Sequence, residues 1–365
     1  MTGVIVARNV DELSVGDALA ELARGADERD REASPAFPRA AVELLRRSGL
    51  LAWNAVEGRR PPAGEELSLV RAVSRADGSV GRIFDGHLNG VERLLVQAPV
   101  ALQSAELPLI RAGQLTVGVW GGEPRPGEGQ PATIEKFDDR EVLSGVKTFC
   151  SGAGGLDRAL VLAHDPPGEK PSAVWVDVTD PRAVRVDESW YRSSGLRASA
   201  SHRVIFDRAP ILARFGAPGA LTEQPWFGRD ALRTAAMWVG MVDAAFGAAL
   251  EDLKLRPHNT ALEELAVGRM LTARDTANVW LEQAARAMDA GGSPDLPAVA
   301  LHARAAIAGA ARALLDEAAR ACGSVPFATG GTLDRARRDL ELFLLQHRLD
   351  PMLARAGASA LRGQG

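Results

Sequence analysis

Hydrophobic periodicity changes twice along this 365-residue chain, and that double change constrains the fold more than any single motif. From Val10 to about Arg111 apolar residues recur at helical spacing, as in Leu13, Ala18, Leu19 and Leu22 and again in Ala40, Ala41, Leu44 and Leu45. Gly49 and the stretch 59–64 separate these elements. The texture then becomes that of short strands. Runs at 115–120, 140–149, 158–163, 173–178 and 204–206 are rich in Val, Ile and aromatic residues, punctuated by Asp165-Pro-Pro-Gly168 and Asp180-Pro181. From Asp230 long amphipathic helices return. Thr260-Ala-Leu-Glu263 has capping-box spacing, Gly291-Gly-Ser-Pro294 stops that helix, and Gly323 follows the next. The expected class is α+β, with a helical domain over 1–113, an antiparallel β domain over 114–212 and a helical bundle over 213–365. Gly152-Ala-Gly154-Gly155 lacks the third glycine of GxGxxG and precedes a strand, which argues against a dinucleotide fingerprint.

Charge narrows the function classes. The 43 Lys and Arg against 47 Asp and Glu give a net charge of −4 without basic runs, which argues against nucleic acid as a partner. The apolar stretch 235–250 is broken by Gly240, Asp243 and Gly247, so no uninterrupted membrane span is expected. The first eight residues lack a leader pattern, and the expectation is a cytoplasmic protein. Cys150 and Cys322 form no CxxC pair and read as buried small residues rather than a disulfide or zinc site. The six histidines lie singly and neither HExxH nor GxSxG occurs, so no metal site and no serine-hydrolase elbow is expected.

Two segments of the β-rich third could meet a planar ligand. Gly145-Val-Lys-Thr-Phe-Cys-Ser-Gly152 is a strand ending in a hydroxyl and a glycine, with Phe149 offering a ring face. Gly118-Val-Trp-Gly-Gly-Glu-Pro124 places an aromatic before glycines that permit close backbone approach. Alone, each reads as an ordinary strand or loop. Two later segments join them: Ser194-Gly-Leu-Arg-Ala-Ser-Ala-Ser201, which leads into Arg203-Val-Ile-Phe-Asp207, and Leu333-Asp-Arg-Ala-Arg-Arg-Asp339.

Taken in order, the four segments resemble the acyl-CoA dehydrogenase superfamily over about residues 37–357. The resemblance implies the helical, β and bundle architecture just described. It also implies a flavin cofactor, FAD first, with FMN or a loosely held reduced flavin as alternatives. Position by position, Trp120, Gly121 and Gly122 fall in the loop that would meet the flavin pyrimidine. Ser151 would lie near flavin N5, where donors placed beforehand stabilise developing charge, and Phe149 stands where the dehydrogenases usually carry tryptophan. Arg256 resembles the arginine that ends the first long bundle helix and reaches the adenine end, but Pro257-His258-Asn259 follows it. The later Gln-x-Gly-Gly signature is reduced to Ala321-Cys-Gly-Ser324, which brings FMN forward.

The catalytic position departs from the dehydrogenase pattern. Counting from Arg338-Asp339, the resemblance puts His347 where straight-chain acyl-CoA dehydrogenases carry a glutamate base, while Glu341 falls on another helical face. Asp230, at the start of the first bundle helix, is the alternative carboxylate, although an aspartate there also suits the helix dipole. A flavin monooxygenase branch of the same superfamily is similar at Phe149-Cys-Ser-Gly152, at Asp77-Gly-Ser79 and at His87. In that branch reduced flavin from a partner reductase reacts with oxygen, and His87 with His347 would be the polar pair over the flavin. The reading leans to reduced-flavin-dependent monooxygenation of a small organic substrate. Acyl-CoA dehydrogenation with an electron-transfer flavoprotein as partner, and a non-catalytic relative, are the alternatives. A homodimer or homotetramer is expected, because the superfamily commonly forms dimers of dimers.

Overall fold

The computed structural model describes residues 13–32, 36–56, 61–165, 170–290, 295–346 and 348–363. The N-terminal part comprises α1 (Val15–Arg24), α2 (Ala26–Arg31), α3 (Arg39–Arg47), α4 (Ala63–Ala76), α5 (Gly78–Gln97) and α6 (Val100–Arg111). Seven strands follow: β1 (Val117–Trp120), β2 (Thr133–Phe137), β3 (Arg140–Cys150), β4 (Arg158–Ala163), β5 (Ser172–Asp177), β6 (Val184–Asp187) and β7 (His202–Phe215). The chain then returns to helices: α7 (Trp226–Lys254), α8 (Ala261–Asp289), α9 (Leu296–Cys322), α10 (Val325–Thr329), α11 (Thr332–Gln346) and α12 (Asp350–Leu361). The expected succession of helices, sheet and helices is what the chain adopts. The capping box at Thr260 and Glu263 opens α8, and Gly323 follows α9. The expected stop at 291–294 lies outside the described residues.

The strands form one curled sheet in the order β1-β4-β5-β7-β3-β2, with β6 on β7. All pairs are antiparallel except β1 with β4. The long strand β7 stitches the two halves together. Its residues 202–210 pair with β3, whereas 211–215 pair with β5. A register shift in β3 between Lys147 and Cys150 coincides with a left-handed φ of 53° at Phe149, so the bulge re-aims the side chains at the end of the strand. Phe149 is left half exposed while Cys150 is fully buried.

Two apolar cores hold these layers. The larger runs from α4 and α5 through α7 into α8, α9 and α11, with Trp238, Met241 and Phe246 buried in it as core side chains. The smaller lies where α5 and α6 cover β1, β4 and β5. There Trp175 stacks on Phe215 with centroids 5.1 Å apart, and side chains of this kind stabilise by about 1.5–3 kcal/mol each when fully buried. Among the described helices α9 alone is long and apolar enough to cross a membrane by length and composition. Half of that stretch is buried inside the protein, as a bundle-core helix is. Both cysteines are free and buried, as expected, and burial pushes the Cys150 thiol far up and that of Cys322 to about 11.

A buried ionic lattice fixes α7 against α4 and α5. Arg229 donates to Glu66 at 2.6 Å and Glu92 at 2.7 Å, and Arg233 donates to the same carboxylates at 2.8 and 2.9 Å. Removing such charges from water costs several kcal/mol per ion, and only reciprocal bonding of this quality offsets it. The lattice thereby sets which residues of α5 and α7 face the neighbouring cleft.

Candidate active site

A cleft of about 610 Å³ opens where α5, α7 and α11 meet the end of the sheet. Gly121, Gly122, Glu123, Phe149 and Ser151 line its sheet wall, and Asp85, Asn89, Asp230 and Thr234 its helical wall. Leu342, Phe343, Leu345 and Gln346 of α11 close it.

The sheet wall is made by close backbone packing. A Cβ on Gly122 would stand 2.2 Å from the Thr148 carbonyl oxygen, so only glycine lets the loop after β1 lie on β3. Thr148 donates its hydroxyl to the Glu123 carbonyl oxygen at 2.9 Å. The fully buried Lys147 ammonium donates to the Glu123 carboxylate at 2.6 Å, and burial pulls that ammonium below its ordinary range. Thus the Glu-Pro loop and the Phe-Cys-Ser strand end are bound to each other.

The other two motifs also meet. A Cβ on Gly195 would come within 2.1 Å of the Arg338 carbonyl oxygen, and the Leu196 amide donates to the Asp339 carboxylate at 2.5 Å. Burial pushes that carboxyl up to about 7. Arg338 in turn binds Asp334 at 2.9 Å and Asp30 at 2.5 Å. Gly195, Arg338 and Asp339 clamp α11 to the turn before β7, and Leu196 beside them lines the cleft.

Beyond the turn, three serines form a chain whose polarity follows from its end. Ser199 Oγ donates to the Leu196 carbonyl oxygen at 2.7 Å, which commits its only proton. Ser201 Oγ, 2.7 Å from Ser199 Oγ, must therefore donate to it, and Ser151 Oγ, at 2.9 Å, donates to Ser201. What Ser151 offers the cleft is a lone pair, an acceptor for a ligand N–H.

The other expected positions divide sharply. Asp230 lines the cleft with its side chain about a third exposed, 3.9 Å from Arg233. Trp120 is a correction: its ring is buried, and its indole N–H donates to the Ser151 carbonyl oxygen at 3.0 Å, so it supports the cleft wall from behind. His87 is also a correction. Its Nδ1 accepts from the Val117 amide at 3.1 Å and its Nε2 donates to the Leu51 carbonyl oxygen at 2.7 Å, in a site that is 1% exposed. With both ring nitrogens used by backbone, burial drives its pKa down to about 4. His87 ties α5 to β1 and does not face the cleft. Asp77 N-caps α5 by accepting from the Val80 amide at 3.0 Å and pairs with Arg29. Arg256 is a third correction. Its guanidinium binds Asp252, Glu263 and the carbonyl oxygens of Ala321 and Cys322, so its donors close the C-terminal end of α9. His347 lies outside the described residues, whereas its neighbours Gln346 and Arg348 line the cleft.

Lining residues that escaped the sequence reading include Asp85, Asn89, Tyr191 and Thr234. Asp85 and Asn89 stand at i and i+4 and so share one face of α5, a spacing readable from the sequence. Asp85 is 2% exposed, receives Arg82 at 3.0 Å on one oxygen, and burial lifts its carboxyl to about 7.

The donor set fits an isoalloxazine. Glycine backbone at 121–122, the acceptor Ser151 and the half-exposed ring of Phe149 share one wall, and the volume falls in the range of about 300–1,000 Å³ usual for cofactor and ligand sites.

The fold is that of the acyl-CoA dehydrogenase superfamily, as the ordered motifs implied. No family model matches the chain. The protein is similar to dibenzothiophene monooxygenase of Rhodococcus erythropolis, at 29% identity over 235 residues, covering 58% of this chain and 52% of the relative. The chain thus matches about half the length of that curated relative, and the same figures hold for the enzyme of Rhodococcus qingshengii. Among solved structures, FMN-bound TdsC from Paenibacillus sp. A11-2 superposes with a TM-score of 0.81 at 20% identity, covering 95% of this chain and 97% of that one. Methanesulfinate monooxygenase MsuC from Pseudomonas fluorescens gives 0.75 at 22% identity, covering 95% of each chain.

Proposed function

We propose that this chain is a flavin-dependent oxidoreductase that uses reduced FMN and oxygen to monooxygenate a small organic substrate. The observation that carries the reading is the polarity of the serine chain, which leaves Ser151 an acceptor toward the cleft. The reduced form of a flavin carries an N–H at its central ring, and Ser151 would hold it there. Gly121 and Gly122 would take the pyrimidine edge through backbone, and Phe149 would pack on a ring face. Bound reduced flavin supplies the electrons for oxygen activation. The surrounding residues exclude water through Leu196, Leu342 and Phe343, and a proton is held at Asp85, whose carboxyl burial lifts to about 7.

Several features support this reading over dehydrogenation. Among the described residues α11 sends no carboxylate into the cleft, since Glu341 pairs with Arg337 at 2.8 Å outside it. The curated relatives are named as monooxygenases, and FMN is the flavin bound by the structural neighbour TdsC. FMN also suits a chain in which Arg256 is already committed. Acyl-CoA dehydrogenation with Asp230 as base is the second reading, favoured by the presence of that carboxylate in the cleft. The expected reductant is flavin reduced by a separate reductase. A homo-oligomer is proposed from the exposed Leu262, Leu265 and Val279 of α8.

An anaerobic titration tests the reading. Reduced FMN should bind, a panel of acyl-CoA thioesters should leave the oxidised flavin's absorbance unchanged, and admitted oxygen should be consumed with transfer of label from ¹⁸O₂ to an acceptor substrate. Bleaching by a thioester would favour the dehydrogenase, and failure to bind flavin in either redox state would leave a non-catalytic relative. A His347→Ala variant is expected to bind FMN normally and lose about 10²–10⁴-fold in turnover, the range for removing a general acid or base.

A further inference from the structure

A second cavity, of about 440 Å³, lies where α1 and α4 meet α7 and α8, and it shares no lining residue with the cleft. Small side chains of α1 and α4, Ala20, Ala23 and Ala72 among them, make its apolar part, and Arg71, Arg75, Asp243 and Arg274 supply its charge. One carboxylate fixes two of the three guanidinium groups. Arg71 donates its Nε proton to Asp243 Oδ2 at 2.6 Å, and Arg274 donates its own to Oδ1 at 2.7 Å. Asp243 is 5% exposed; burial opposes its charge, yet the bonds from both arginines hold the carboxyl below its ordinary range. The Arg274 guanidinium is also seated over the Phe246 ring, 5.2 Å from its centroid. A Cβ on Gly240 would stand 2.3 Å from the Arg71 carbonyl oxygen, so close packing of α4 on α7 fixes the backbone that carries Arg71. With Nε committed, the terminal nitrogens of Arg71 and Arg274 keep donors that no described residue accepts. Arg75, one helical turn beyond Arg71, lines the same cavity, is exposed and has no described acceptor either. Three cations thus meet one carboxylate, the only one among the described residues that lines the cavity. The Arg71 and Arg274 side chains are 26% and 33% exposed, so the excess charge is screened less than on an open surface.

We propose that this cavity is a second ligand site, which takes a small phosphate monoester with its phosphoryl group against Arg71, Arg75 and Arg274 and its organic group against the alanines of α1 and α4. The charge left over by Asp243 matches the dianion that a phosphate monoester carries above its second pKa of about 6. A carboxylate brings half that charge. Guanidinium groups present paired N–H donors that suit phosphoryl oxygens, and bonds of this kind are charge-assisted. The inference stands apart from the proposed function, because none of the residues assigned to the flavin takes part in it.

Calorimetric titration of the full chain with three probes tests the site. Phenyl phosphate carries both the dianion and an apolar ring, benzoate keeps the ring with one charge, and inorganic phosphate keeps the charge without the ring. The wild-type protein should bind phenyl phosphate about tenfold more tightly than benzoate, and more tightly than inorganic phosphate. Arg75→Gln breaks no bond within the described protein, so its melting temperature without ligand should equal that of the wild type. It should bind phenyl phosphate about tenfold more weakly, the value of one charge-assisted hydrogen bond. Arg274→Gln should weaken binding at least as much, and Arg75→Gln decides the matter if Arg274→Gln fails to fold. Ser151→Ala, in the cleft, should leave the affinity for phenyl phosphate unchanged. No binding of phenyl phosphate, equal affinity for it and either other probe, full affinity in Arg75→Gln, or a loss in Ser151→Ala as large as that in Arg75→Gln each overturns the inference.

Discussion

The two walls of the cleft are built differently. The sheet wall presents backbone and small hydroxyls: Gly122 packed on the Thr148 carbonyl, the bulge at Phe149, and the serine chain that ends at Ser151. The helical wall presents longer side chains from α5 and α7, held by buried guanidinium groups. The first kind of surface is made of short local segments that strand pairing brings together. The second depends on helix phase, where each residue turns the side chain by about 100°. Two residues on from Asp85 the helix has turned by about 200°, which is why His87 enters the core and Asp85 the cleft.

The largest expected effect strikes the support of the helical wall. Arg233→Met would leave Glu66 and Glu92 sharing Arg229 alone, and urea unfolding should show a loss of about 3–5 kcal/mol. A loss below about 1 kcal/mol would mean that the lattice does not set that wall.

Next comes the pH dependence of the histidine behind the wall. Below pH 6.5 the unfolded chain takes a proton at His87 that the folded chain refuses until about pH 4. Stability therefore falls as pH drops through that window, by roughly 3 kcal/mol from this residue. In His87→Gln, the wild-type minus variant stability difference should diminish as pH falls from about 7 to about 4, whereas a pH-independent difference would place the ring in solvent.

On the sheet side, Gly195→Ala forces a methyl onto the Arg338 carbonyl, and overpacking of this sort costs about 1–3 kcal/mol. A melting temperature equal to that of the wild type would show that the clamp between the turn and α11 yields easily. The smallest effect is expected at Ser151→Ala. The variant should fold as the wild type does and bind reduced FMN more weakly by about 1 kcal/mol, the worth of one hydrogen bond, with oxidised FMN affected less. Equal weakening of both redox forms would contradict the acceptor role assigned to this hydroxyl.

Much of the fold was legible because its signals are local. The strand runs at 140–149 and 158–163 match β3 and β4 closely, and the capping box at Thr260 marks the start of α8. Phe149, Ser151, Gly121 and Gly122, which line the cleft, lie in short motifs of the same local kind. Trp120 was placed in the right loop but on the wrong side of it, since a strand alternates faces and the motif does not say which face looks inward. Arg256 was assigned by its place in a motif, while its partners, the carbonyl oxygens of Ala321 and Cys322, lie about 65 residues away, as the separations in its hydrogen bonds show.

What the sequence determined by itself was the order of the layers, because periodicity, caps and turn glycines act between near neighbours. Only the tertiary structure decided which of Asp85, His87 and Asn89 lines the cleft and how the serines are polarised. Those outcomes depend on helix rotation and on the last acceptor in a hydrogen-bond chain, and packing among α4, α5, α7 and β7 fixes both.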